Sequence, residues 1–322
     1  MKKIALFIAC SFCISALAQE KPIVINTTGT ELLIPEGIVV NESTGDIYVS
    51  SINKHKIIII DKNGNHRDFI PENHDKFLEG LGMKIDTRRN WLWVASNRQQ
   101  GKQYTSQVHA FDLAKGQTQQ YYVLIDTIPH LFNDVIVDRD GKILITDMYY
   151  SAVYTIDPVT QKLSLLVRSR DLEYPNGLVR SNTGKLYIAT YRNGLMMLDT
   201  DTKKLTPLTG FKDSATAYNI DGLVLWNNTL IGVYNVGPDR SKNSIIQYML
   251  SKDGTTITSE RLIDQGHPSF YEPTTAALAG NHLYVLANSH LATYNANKES
   301  VIGVENKLTP VAIVRYDLKA LK

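Results

Sequence analysis

Thiol chemistry has almost no place in this chain: of 322 residues only Cys10 and Cys13 are cysteine. Both lie in a segment, residues 1–18, with the pattern of a secretion signal. Lys2-Lys3 is followed by an apolar run from Ile4 to Leu17, with small residues at Ala16 and Ala18 before Gln19. Phe7-Ile8-Ala9 is a poor match to a lipoprotein-type site before Cys10. The expected mature chain has no thiol, disulfide or cysteine-bound metal, and losing Lys2 and Lys3 takes its formal charge from +2 to 0. The expectation is a soluble protein of the periplasm or the secreted fraction, a retained anchor being the competing reading. The apolar run is too short to span a bilayer.

Other signals are missing too. Lys+Arg (34) nearly balance Asp+Glu (32), so no nucleic-acid partner is indicated. No segment sustains a helical period; the best stretch, Glu72 to Leu81, is short and broken by Gly80 and Gly82. No low-complexity linker divides the chain, so residues 19–322 read as one domain. The eight histidines form no His-x-x-x-His pair, and there is no Gly-x-Ser-x-Gly elbow or phosphate-cradling glycine loop. Zincin-type, serine-elbow and thiol chemistry therefore lack support.

What is present is a repeat. From Pro175 to Lys204 the chain alternates short apolar runs with turn signals at Asn182-Thr183-Gly184-Lys185 and Arg192-Asn193-Gly194. That is four antiparallel strands joined by hairpins, too small to be stable alone. The second strand of the unit recurs at Ile47, Leu92, Ile143, Leu186, Leu230 and Leu283, at steps of 45, 51, 43, 44 and 53 residues. Six copies at this period predict an all-β, six-bladed β-propeller. The last copy has strands near 275–279, 283–287 and 311–318 and then the chain stops. Residues 23–27 are therefore expected to supply its outer strand, a loose N-terminal arm being the alternative.

In such a ring the first strand of each blade lines the axis. The residues that open those strands include Pro35-Glu36-Gly37, Phe132-Asn133-Asp134, Pro175-Asn176-Gly177 and Ile220-Asp221-Gly222. Glu36, Asn133, Asn176 and Asp221 should converge at one mouth of the axis. Two carboxylates and two amides suit a hard divalent cation, calcium first, with magnesium, manganese or zinc able to substitute. Each residue alone also reads as a turn-former before an inner strand, and Leu81 and Thr274 break the set in the other two blades. The hairpins on the same face carry Ser51, Asn97, Asp147, Tyr191, Asn235 and Asn288. Asp147 is expected to cap a strand end, while Tyr191, Asn235 and the nearby His130 are candidates to meet a substrate. Long connections at Arg98 to Ser106, Val236 to Asn243 and Leu291 to Pro310 would wall this face, the last as a lid.

The segments PEGIVVNESTGDIYVSS, NDVIVDRDGKILITD, PNGLVRSNTGKLYIATY and NIDGLVLWNNTLIGVYN together resemble the senescence marker protein / gluconolactonase / luciferin-regenerating enzyme family, over nearly the whole mature chain. The resemblance implies a six-bladed propeller that hydrolyses sugar lactones with one divalent metal. It implies metal ligands at Glu36, Asn176 and Asp221 and a substrate contact at Asn133. This sequence departs from the lactonases at Leu131, where they carry an arginine that grips the polar sugar acid; a less polar ligand, or none, is implied. Two function classes follow. One is a metal-dependent hydrolase of a lactone or related ester, with Asp221 as the base that takes a proton from water. The other is a non-catalytic propeller that binds a small molecule or a protein through the same face. A lyase of the strictosidine-synthase type has no specific support.

Overall fold

The computed structural model describes residues 21–213 and 217–321. The expected secretion signal, residues 1–18, lies outside the described residues.

The strands are β1 (Ile23–Asn26), then β2 (Pro35–Val40), β3 (Ile47–Ser51), β4 (Lys56–Ile60) and β5 (His66–Ile70). β6 (Glu79–Asp86), β7 (Trp91–Gln100), β8 (Gln103–Asp112) and β9 (Thr118–Asp126) follow. The third group is β10 (Phe132–Val137), β11 (Ile143–Asp147), β12 (Ala152–Asp157) and β13 (Lys162–Arg168). The fourth is β14 (Pro175–Arg180), β15 (Leu186–Thr190), β16 (Gly194–Leu198) and β17 (Leu205–Pro207). β18 (Ile220–Trp226), β19 (Thr229–Tyr234), β20 (Ser244–Leu250) and β21 (Ile257–Gln265) precede the last strands, β22 (Ala276–Ala279), β23 (His282–Leu286) and β24 (Ala312–Asp317). They form six four-stranded antiparallel sheets, the blades of a six-bladed β-propeller. The six repeats predicted from the sequence are these six blades.

The second strands explain the repeat signal. β3, β11 and β15 are buried at every residue, so each opens on an unbroken apolar run rather than an alternating one. Each blade has neighbours on both faces, and six apolar clusters fill the spaces between consecutive blades. One holds Ile47, Val49 and Ile58 of the first blade against Leu286 and Ile313 of the last, so the packing closes into a ring. The chain closes there as expected: β1 is the outer strand of the last blade, pairing Ile23 with Arg315 through Asn26 with Ala312. Thr27 Oγ1 donates to Val311 O at 2.9 Å, and Val311 N donates to Thr30 Oγ1 at 2.9 Å, which pins the entering chain.

One local expectation is corrected. Arg98 to Ser106 is not a loop but a β-ribbon, with β7 and β8 paired as far as Gln100 and Gln103. Gly101, at φ +60°, makes the tight turn that allows this. Glu72 to Leu81, a weak helical stretch in the sequence, holds one 3₁₀ turn at His74–Lys76 and then enters β6. The one α-helix among the described residues, α1 (Leu291–Ala296), lies instead inside the connection from β23 to β24. Six residues are too few to show a helical period, which is why the sequence does not announce it. No helix among the described residues is long and apolar enough to cross a membrane.

Candidate functional site

The inner strands do more than line the axis. In β2, β6, β10, β14 and β18 the pairing register slips at the strand's start, for example between Pro35 and Ile38 and between Pro175 and Leu178. A bulge of this kind bends a strand and re-aims a side chain. The residues inside the slip include Glu36, Leu81, Asn133, Asn176 and Asp221, and all five line one cavity of about 670 Å³. The glycine that follows is required by crowding at the axis. A Cβ on Gly177 would sit 2.5 Å from Leu223 N, and one on Gly37 would strike the Leu81 carbonyl. The x-Gly motif is thus a device for close blade contact as well as a turn. Hydroxyls of neighbouring blades hold the bulged backbone: Thr274 Oγ1 donates to Glu36 O at 2.9 Å, and Thr146 Oγ1 to Asn176 O at 2.8 Å.

The floor of the cavity is a buried pair of acids. Glu36, Asn133, Asn176 and Asp221 are each only 4–6 % exposed. Burial, then repulsion from Asp221 and from Asp134, holds the Glu36 carboxyl well above the usual carboxylate range. Burial pushes Asp221 up to about 7, against the stabilising hydrogen bonds of Tyr191 and Asn235 and the nearby amide of Asn176. Asp221 Oδ2 accepts from Tyr191 Oη at 2.7 Å and from Asn235 Nδ2 at 3.0 Å. Its other oxygen, Oδ1, is buried without a hydrogen-bond partner. Among the described residues nothing donates to the Glu36 carboxylate either. An unpaired buried carboxylate is costly, and two of them repel. A divalent cation held by these carboxylates would satisfy them, so the residues present fit one. Among the described residues no three His, Cys, Asp or Glu side chains gather as metal ligands. The cation would rest on two carboxylates, with the amides of Asn176 and Asn133 and water completing an oxygen shell.

The remaining predicted site residues divide by what they touch. Tyr191 lines the cavity and donates its hydroxyl to Asp221, while Asn235 lies behind Asp221 and braces the same oxygen. His130 also lines the cavity, with Nδ1 2.5 Å from Asp147 Oδ2 and its ring against Tyr150. Asp147 Oδ1 accepts from Leu131 N at 2.9 Å and Tyr150 N at 3.2 Å, the strand-end role expected of it. Asn97 is tied twice to Phe132, through Nδ2 to its carbonyl and Oδ1 to its amide. Asn288 similarly holds Pro310 O and Ala312 N.

Sequence reasoning missed Glu79 and Glu299. Both line the cavity, and Glu79 is pushed up to about 7 by burial and by the Glu299 charge, with Arg98 opposing. Nothing in the local sequence marks a pair 220 positions apart. The connection after β23 covers part of the cavity, with Leu291, Tyr294 and Asn295 of α1 facing in at helical spacing. It is anchored: the buried Glu272 accepts from Ala292 N at the start of α1, with Oε2 at 2.9 Å.

Residues 34–229 match the model of the SMP-30/Gluconolactonase/LRE-like region. No curated protein sequence matches the chain. Among solved structures it is similar to a gluconolactonase from Xanthomonas campestris, at 13% identity and TM-score 0.60, covering 92% of this chain and 90% of that one. It is similar to the calcium-binding protein regucalcin from Agrobacterium tumefaciens, at 17% identity and TM-score 0.57, with 88% and 90% covered. It is also similar to virginiamycin B lyase from Staphylococcus aureus, at 17% identity and TM-score 0.57, with 83% and 82% covered. At these identities the structural likeness carries the fold. The family match spans more than half of the chain, and this six-bladed propeller belongs to the SMP-30/gluconolactonase/LRE-like family.

Proposed function

We propose that the chain is a metal-dependent hydrolase of a lactone or related ester, with Glu36, Asn176 and Asp221 holding one divalent cation, calcium first. The observation that carries this is Asp221 Oδ1, buried and unpaired beside a second buried carboxylate on the floor of a ligand-sized cavity. The names of structural neighbours, a gluconolactonase and a calcium-binding protein, agree with it. When bound, the cation would polarise the ester carbonyl and acidify a water.

The chain's own part is proton handling and orientation. Asp221 accepts a proton from the attacking water, and its hydrogen bonds from Tyr191 and Asn235 hold that carboxylate in place. Glu36 contributes charge to the floor. Asn133 presents an amide to the substrate without adding charge, and His130, fixed by Asp147, stands on the wall where it can touch the ring. Export guided by residues 1–18, with a periplasmic or secreted location, is part of the proposal. N-terminal sequencing of the mature protein tests it.

The main test is metal content of the purified protein, then hydrolysis of a lactone panel with and without chelator. Chelator-sensitive turnover is expected. A tightly bound metal with no turnover on the panel would favour the binding propeller, a reading that Leu131 on the cavity wall supports.

A further inference from the structure

The mouth of the cavity collects residues from three separate stretches. Glu79 and Tyr104 belong to the second blade, Tyr149 to the turn after β11, and Tyr294 and Glu299 to the connection that carries α1. That this cavity takes a ligand is indicated independently of these acids, because Asp221, 4% exposed, leaves Oδ1 unpaired in its floor. Burial first, and then the charges of both Glu79 and Glu299, raise the Tyr149 and Tyr294 hydroxyls, so the acids and the rings share one field. Neither acid forms a salt bridge among the described residues. Arg98, the guanidinium of the same lining, has Nη2 3.1 Å from His55 Nδ1 instead. Among the described residues the hydroxyls of Tyr104, Tyr149 and Tyr294 make no hydrogen bond, and no guanidinium covers their rings. Two carboxylates against one guanidinium leave the mouth negative even when a divalent cation neutralises Glu36 and Asp221. Unpaired carboxylates beside open, electron-rich ring faces are complementary to a positive charge on an organic body. Calcium fits less well there, since it takes about six to eight oxygens.

We propose that the mouth is a binding site for an organic cation, an alkylammonium or quaternary ammonium group, held between Glu79 and Glu299 against the faces of Tyr104, Tyr149 and Tyr294. The group enters where the lid meets the second blade. Without it the Glu299 charge acts on Glu79 as repulsion, with Arg98 opposing. With it the same two carboxylates form a bridge from the ring of blades to the lid. The lid's share of the site is fixed as one piece: Glu299 N donates to Tyr294 O at 3.0 Å, in the turn that follows α1. The inference concerns binding at the mouth and holds whatever chemistry the floor performs.

Benzyltrimethylammonium, benzyl alcohol and benzoate share one ring and differ in charge. Their affinities for the purified protein are measured by calorimetry in calcium-containing buffer at pH 8. The cation is expected to bind at least about 10-fold more tightly than the alcohol, with benzoate the weakest. Glu79→Gln and Glu299→Gln should each weaken the cation about 3–10-fold and leave benzyl alcohol unmoved. Tyr149→Ala should weaken it about 5-fold; Tyr149 is 48% exposed and its truncation leaves the core intact. The probe's charge is permanent, so its affinity should rise between pH 6 and pH 8 as Glu79, pushed up to about 7 by burial and by Glu299, loses its proton. Glu79→Gln should flatten that rise. Equal or tighter binding of the alcohol or of benzoate, no binding of the cation, or unchanged cation affinity in the double Glu79→Gln, Glu299→Gln variant overturns the inference. Displacement of the probe by calcium, at a second metal site that the same substitutions remove, overturns it too. The substitutions locate the cation with or without metal on the floor. Absence of lactone turnover would therefore remove the hydrolase reading and leave this inference standing.

Discussion

Asp221→Asn separates what the floor costs from what it does. In the folded protein the Asp221 carboxyl is raised from 3.8 to about 7, chiefly by burial. Between these values the folded state holds a proton that the unfolded state has released. Stability without metal therefore falls as pH rises through this window. Three pH units correspond to roughly 4 kcal/mol at 1.36 kcal/mol each, an upper figure because Glu36 titrates in the same field. Asparagine removes the charge, keeps an oxygen for Tyr191 and Asn235, and turns an N–H toward the unpaired side. In chelator at pH 8 the variant should be more stable than the parent by about 2–4 kcal/mol, or several degrees in Tm. At pH 5 the gain should shrink to about 1–2 kcal/mol, since the parent carboxyl is then mostly protonated. Calcium at about 100 times its Kd should stabilise the parent by about 2.7 kcal/mol and leave the variant unmoved. Thermal and urea unfolding at the two pH values, with and without calcium, read all four numbers. A variant that is less stable than the parent in chelator at pH 8, or that keeps the calcium-dependent rise, would refute the account of the floor as a repelling pair completed by a cation.

Tyr191→Phe deletes the 2.7 Å bond to Asp221 Oδ2, a bond that lowers the carboxyl's pKa. The acid limb of the pH–rate profile should move upward, with kcat at pH 7 reduced roughly 3–10-fold; an unmoved profile would take Tyr191 out of the proton chemistry. Glu272→Ala removes the acceptor for Ala292 N at the lid's anchor. Limited proteolysis within residues 291–310 should accelerate several-fold at a global cost of only about 1–2 kcal/mol; unchanged cleavage would show that the lid is held elsewhere. Gly37→Ala drives a methyl into the Leu81 carbonyl of the next blade. A loss of more than about 2 kcal/mol is expected in denaturant unfolding, and a neutral result would mean that the blades can part at the axis.

The ring was legible because its signal is local and repeated. Each second strand carries a short apolar run because neighbouring blades bury both faces, and six such runs at near-equal steps leave one architecture. Closure by β1 was legible for a related reason: the last blade lacked a strand and the first had one to spare. Glu36, Asn133, Asn176 and Asp221 were legible as a set because they occupy one place in the repeat. Helix α1 was hidden by its length. Glu79 escaped because it stands one residue before Gly80-Leu81-Gly82, outside the place in the repeat where the ligands were sought.

Order along the chain thus determined how many blades there are, which strands lie innermost, and which residue of each repeat points to the axis. Whether those side chains are answered by hydrogen bonds or left bare is a matter of three-dimensional neighbours. Asn97 is held at both ends of its amide by Phe132 and Asp221 is satisfied on only one oxygen, though both are buried polar residues lining the same cavity. Burial and the field of distant charges set the rest. Glu36 and Asp221 lie 185 positions apart, and only ring closure brings their repulsion into one floor.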